Sequence, residues 1–133
     1  MKKSDVLTPG GGISPPSKRF NKAFYGLGWK EHAFDTKIIV DADERVSPTN
    51  LVDCIKGNVA LEVEWSNKDP FYHRDLNNFR LLFDLRAISV GVIITKADDL
   101  SEIFKGLGDK VWEKYGWSTT WMKKLIPRIE AGE

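Results

Sequence analysis

Asp53, Glu62 and Glu64 are the residues of this chain whose type and spacing could do chemistry. On an extended strand Glu62 and Glu64 stand on one face with Ala60 and Ser66, while Val59, Leu61, Val63 and Trp65 take the other. Asp53 lies in the preceding apolar run, on the parity of Leu51 and Ile55, where a core-facing strand should carry another aliphatic. An acid there is costly unless paired, hydrogen-bonded or bound to a metal. Carboxylates converging on one spot repel each other, and a divalent cation is the usual remedy, with hard oxygen ligands suited to Mg²⁺. The two glutamates alone fit an ordinary solvated strand face equally well. Asp53 tips the reading towards a metal site.

Residues 50–68 must position these acids. They read as two strands folded back on each other, with Gly57-Asn58 supplying the positive φ values of a tight turn. Lys37-Ile38-Ile39-Val40 is expected to be a further strand, followed by a polar loop over 41–49, so that three successive strands form an antiparallel meander. Tyr72, Leu76, Phe79 and Phe83 then recur at helical spacing and predict a helix over 70–86 with Pro70 in its first turn and Arg74, Asn77, Asn78 and Arg80 on its opposite side. The β-branched run over 88–95 predicts a strand buried on both faces, joined by a right-handed crossover and so parallel to strand 58–65. Upstream, Ser17 is expected to cap a helix with Phe20, Ala23, Phe24 and Leu27 facing inward, and with Lys18, Arg19 and Lys22 on its polar side. Downstream, Asp98 or Asp99 should cap a short helix reaching Phe104, a second should cover 110–115, and a last, capped by Ser118, should stop before Pro127.

The 133 residues, 41% hydrophobic and 11% aromatic, suit a single globular domain over 17–133 behind a Gly- and Pro-rich lead-in over 1–16. The glycines of the lead-in have neither the preceding strand nor the following Gly-Lys-Ser/Thr of a phosphate-binding loop. Cys54, the one cysteine, leaves no internal disulfide framework and no multi-cysteine zinc site, and reads as a buried inert thiol. His32 and His73 lack metal-ligand spacing and read as surface or structural residues. No run has the length of a membrane span and residues 1–9 lack the apolar core of a signal peptide, so a cytoplasmic protein without a membrane partner is expected. A formal net charge of +1 does not choose a partner, because a balanced sum can hide a basic face opposite an acidic pocket.

The order helix, three-strand meander, helix, strand, helices describes an α/β fold with a mixed sheet. Together with an acid on the second strand and an acidic pair on the third, it resembles the PD-(D/E)XK restriction-endonuclease-like core, and more narrowly type II restriction endonucleases of the BamHI and BglII type. The lysine usual in that motif is replaced in those enzymes by Glu or Gln, and here the position is Glu64. The run Asp53, eight residues, Glu62, one residue, Glu64, then Trp65-Ser66-Asn67-Lys68, looks like the BglII version in spacing. The RDLNNFR helix and the buried VGVIIT strand add to the match.

The resemblance implies Mg²⁺-dependent, sequence-specific hydrolysis of double-stranded DNA, leaving 5′-phosphate and 3′-hydroxyl ends. Asp53 and Glu62 would hold the metal, and Glu64 would orient or deprotonate a water. Ser66 and Asn67 resemble base-reading positions, with side chains that suit the donor and acceptor edges of the major groove. Ser-Asn-Lys-Asp-Pro is equally a turn sequence. Lys68 and Arg74 are candidate phosphate contacts, and Glu31, on the turn after the first helix, is the candidate outer-shell acid or a plain loop carboxylate. Such enzymes act as homodimers on palindromic sites and usually extend further at the C-terminus, so a C-terminally shortened nuclease domain is expected. Two other readings carry the same acids: a nuclease of this fold that follows DNA shape in repair or junction resolution, and a DNA-binding or assembly module without turnover.

Overall fold

The computed structural model describes residues 13–46, 50–65, 71–116, 118 and 120–132. Helix α1 spans Pro15–Gly26, and Ser14, not Ser17, is its N-cap, with its hydroxyl accepting from Ser17 N at 3.4 Å. Pro15 suits the first helical position because the N–H it lacks would be unpaired there. Pro16, Ser17 and Asn21 make the buried side, with Phe20 and Phe24 partly covered, while Ala23 and Leu27 are exposed. Lys18, Arg19 and Lys22 are exposed as expected.

The first strand of the main sheet is β1, Lys30–Phe34, rather than 37–40. Residues Lys37–Val40 (β2) pair instead with Asp43–Val46 (β3), inside the stretch expected to be loop. Asp41 and Ala42 join them with φ of 50° and 72°, the two positive values that a two-residue hairpin turn demands. This small ribbon stands apart with Ile38, Ile39, Val40 and Val46 exposed. Strand β4, Asn50–Lys56, pairs antiparallel with β1 on one side and with β5, Val59–Val63, on the other. Gly57, at φ 56°, turns the chain between them. Helix α2, Phe71–Asp84, crosses back to β6, Val90–Ile94, which runs parallel to β5 with Val59 opposite Val90 and Val63 opposite Ile94. The sheet order is β1-β4-β5-β6. It is a mixed sheet in an α/β fold, with five helices among the described residues, as expected. Because β6 is an outer strand, Val90 is half exposed, contrary to the expectation of burial on both faces.

Two apolar layers clamp the sheet. On one side Cys54, Leu61 and Val63 pack with Phe20 and Phe24 of α1. On the other Val52 and Ala60 meet Phe79 and Leu82 of α2. A Cβ at Gly91 would lie 2.7 Å from Phe79 Cγ, so the ring uses the space that this glycine leaves. The buried positions of α2 are Tyr72, Asp75, Phe79 and Leu82, at i, i+3, i+7, i+10, and Phe83 is 58% exposed. The core stripe is thus rotated from the expected one, because Leu82 follows Phe79 more favourably than Phe83 does over the cluster of Val52 and Ile88.

Beyond the sheet come α3, Leu100–Gly106, and α4, Asp109–Tyr115. The last helix, α5, spans Met122–Glu130 and runs through Pro127 instead of stopping before it. Proline there removes one hydrogen bond, to the carbonyl of the exposed Lys123, while Leu125 on the buried side holds the helix in place. Ser118 does not cap it. Instead the hydroxyl accepts from the ammonium of Lys96, a fully buried lysine that also lies 4.6 Å from the Trp121 ring.

Burial, with Lys124 adding repulsion, pushes the Lys96 ammonium down to about 7 from its ordinary 10.5. Between those values the unfolded chain binds a proton that the folded chain does not, so this residue's contribution to stability rises with pH over that window. Lys96→Met should therefore stabilise the protein most at pH 7 and progressively less towards pH 10. Urea denaturation of both proteins at three pH values measures the difference, and a constant offset would show that Lys96 does not titrate in this way.

Candidate active site

A one-residue irregularity in β4 aims the acids. Lys30 pairs with Ile55 and His32 with Val52, so a single residue of β1, Glu31, faces two of β4, Asp53 and Cys54. Such a bulge shifts the alternation. It lets Val52 and Ile55 serve the layer under α2 while Cys54, between them, serves the layer under α1. Asp53 keeps the parity of Ile55, and the bulge brings Val52 onto that same face. The pairing of Cys54 with Leu61 continues to put Asp53 beside Glu62, and the two side chains are in hydrogen-bonding contact.

Glu62 and Glu64 are 4% and 3% exposed, so they are not a solvated strand face. Glu64 N donates to Ile94 O at 2.8 Å, which carries the β5 to β6 pairing one step further and fixes Glu64 at the end of the strand. Its carboxylate lies against Asp75 of α2, and its Oε1 is 3.9 Å from Arg74 Nη2. Asp75, 2% exposed, accepts from Arg74 Nε and Nη2 at 3.2 Å through Oδ1. The acids thus meet as two pairs, Asp53 with Glu62 and Glu64 with Asp75.

An open cleft of about 490 Å³ lies over this region, lined by Asn50, Leu51, Asp53, Glu62, Arg74, Asn77, Asn78 and Leu81. Burial, then the charges of Asp53 and Asp75, push the Glu62 carboxyl up to about 9. Burial also raises Asp75, against the opposing pull of Glu64 and Arg74. The Cys54 thiol on the far side of the sheet is pushed up to about 11, mainly by burial, and is inert as expected.

The site gathers Asp53, Glu62, Glu64 and Arg74. Glu31 is on strand β1, not on a turn, is exposed, and is not among the residues lining the cleft. Ser66, Asn67 and Lys68 lie outside the described residues. His32 packs edge-on against Phe34 and His73 contacts Arg128, so neither lines the cleft. Asp75 was not expected. Its signal was present, since it interrupts the apolar series Tyr72, Phe79, Leu82 at helical spacing just as Asp53 interrupts a strand.

Among the described residues no three His, Cys, Asp or Glu side chains form a finished metal cage. The donor chemistry nonetheless suits a hard divalent cation. Asp75 Oδ2 and Asn78 Oδ1 are buried without a hydrogen-bond partner, and Glu62 carries a proton that a cation would displace.

A mixed sheet whose central antiparallel strands deliver acids beneath a crossover helix defines a restriction-endonuclease-like fold. The model of the restriction endonuclease BglII/BglIII family matches residues 1–133, and the chain belongs to that family. It is accordingly a type II restriction deoxyribonuclease, a hydrolase whose substrate is DNA. No curated protein and no solved structure matches the chain. Among the described residues no helix is long and apolar enough to cross a membrane.

Glu62 sets a pH dependence of its own. Its folded value of about 9 lies above the ordinary 4.5, so over that interval the unfolded chain has released a proton that the folded one keeps. Stability of the cation-free protein should fall as pH rises through this window. Glu62→Gln should flatten that part of the slope, which thermal melts at pH 5, 7 and 9 would read, and equal slopes in the two proteins would contradict the assignment.

Proposed function

We propose that this chain is a Mg²⁺-dependent, sequence-specific double-stranded DNA endonuclease of the PD-(D/E)XK type, leaving 5′-phosphate and 3′-hydroxyl ends. The observation that carries the reading is the hydrogen-bonded pair of Asp53 and Glu62 at an open cleft, beside a bulge in β4. A phosphodiester is an anion, and an anion enters a carboxylate-lined cleft only if positive charge accompanies it.

Restriction endonucleases generally depend on a divalent metal. Asp53 and Glu62 would hold it here, and the bound cation would supply Lewis acidity towards a phosphate oxygen and acidify a water. Glu64, held at the end of β5 by its backbone hydrogen bond to Ile94, would orient that water and take its proton. Asn77 and Asn78 line the same cleft and can donate to phosphate oxygens. Ser66 and Asn67, directly after the acids in sequence, are the proposed base readers, and Lys68 a phosphate contact. Two copies acting on the two strands of a palindromic site complete the reading, because the two-fold symmetry of the duplex favours a homodimer.

The purified chain is incubated with a long mixed-sequence duplex, with and without Mg²⁺, beside Asp53→Asn and Glu62→Gln. Discrete fragments that require Mg²⁺ should appear with the native chain, and their yield should drop at least about a hundredfold in either variant, as expected for loss of several kcal/mol of charge stabilisation. DNA retarded but never cut by the folded native chain would instead mark a binding module.

A further inference from the structure

Among the described residues that line the cleft, Arg74 is the one cation. Its side chain is 65% exposed, yet two of its nitrogens, Nε and Nη2, donate to the same Asp75 oxygen at 3.2 Å. Nη2 is also 3.9 Å from Glu64 Oε1. Asp75 is buried, and its second oxygen has no hydrogen-bond partner. As a device for stability the arrangement is poor. A pair with one exposed partner returns little stability, whereas taking a carboxylate out of water is expensive. Its benefit has to lie in where the guanidinium is held.

We propose that Asp75 is a positioning residue that aims the Arg74 guanidinium at the scissile phosphate, where Arg74 stabilises the negative charge that builds up on the non-bridging oxygens. The planar fork of an arginine matches two phosphate oxygens at once, which an ammonium cannot do. Arg74 reaches the cleft from α2, on the side opposite the strands that carry Asp53 and Glu62, so a phosphate entering between them meets positive charge from the helix side. In the step itself the water oxygen forms a new bond to phosphorus and the P–O3′ bond breaks. Glu64 takes the proton of the water and the 3′-oxygen takes one from solvent. Arg74 transfers nothing and keeps its charge throughout, so its effect is electrostatic.

The inference rests on the endonuclease reading, and the test separates the two. Cleavage of a long mixed-sequence duplex is followed with protein in excess at saturating concentration, and binding is measured separately by retardation without Mg²⁺. Arg74→Gln should cut about a hundredfold more slowly while half-retardation moves by less than about threefold, and Arg74→Lys should fall between it and the native chain. Asp75→Asn should slow cleavage at least about tenfold on its own and add nothing in the Arg74→Gln background, because it acts through that side chain. An Arg74→Gln variant that binds tenfold more weakly but cuts at the native rate when saturated would reduce Arg74 to a backbone contact and overturn the proposal. An equal loss from Asp75→Asn with and without Arg74 would overturn the positioning role. Should Asp75→Asn fail to fold, the exposed Arg74 variants still decide between a fork at the reacting phosphate and a distant contact. Failure of the native chain to cut any DNA would remove the endonuclease reading, and this proposal with it, whatever the variants do.

Discussion

Like charges at close range set the terms for this molecule. Two carboxylates about 4 Å apart repel by on the order of 4 kcal/mol at an intermediate dielectric, more than the burial of a typical leucine returns. Asp53 against Glu62 and Glu64 against Asp75 are two such pairs on one side of one sheet. They can be kept there because the strands beneath are clamped from both faces. Leu61 and Val63 are locked under α1, and Val52 and Ala60 under α2. Apolar packing forces the acids together, and protonation of Glu62 and the guanidinium of Arg74 relieve part of the strain.

The same clamp explains why so little of the site lies in loops. Asp53 and Glu62 sit on paired strands, Glu64 on the backbone hydrogen bond that extends one of them, and Arg74 and Asp75 on consecutive positions of a helix packed over the sheet. Rigid elements hold side chains to a tighter geometry than loops do.

Much of this frame could be read from residue patterns. The hairpin around Gly57, the crossover through α2 and the parallel pairing of β6 were all legible, because alternation, turn chemistry and handedness act locally or leave one topology. Asp53 was legible as well, since it breaks an apolar pattern, whereas Glu62 and Glu64 fit a solvated strand face equally well. What escaped was whatever depends on partners far away in the chain. Lys30–Phe34, an exposed edge strand, has no aliphatic run to announce it, whereas Lys37–Val40 has one and yet lies outside the main sheet. Asp75 was passed over because Phe83 fits a helical stripe as well as Leu82 does on paper, and only the packed sheet chooses between them. Pro127 reads as a stop and is not one, because Leu125 pays for the missing bond from the other side of the helix.

The bulge opposite Glu31 makes the site depend on chain length as well as on residue identity. Removing the codon for Cys54 would keep every acid, yet it would slide Asp53 into the register opposite Leu61 and turn its carboxylate into the apolar layer of Phe20 and Phe24. Removing the codon for Asp53 would set Val52 against Glu62 instead. In the history of this gene, then, substitutions around the bulge can be graded by their chemistry, but an in-frame loss of a single triplet there rewrites the geometry of the whole centre. Related chains should vary in sequence across these positions far more readily than in the number of residues between the first acid and the turn.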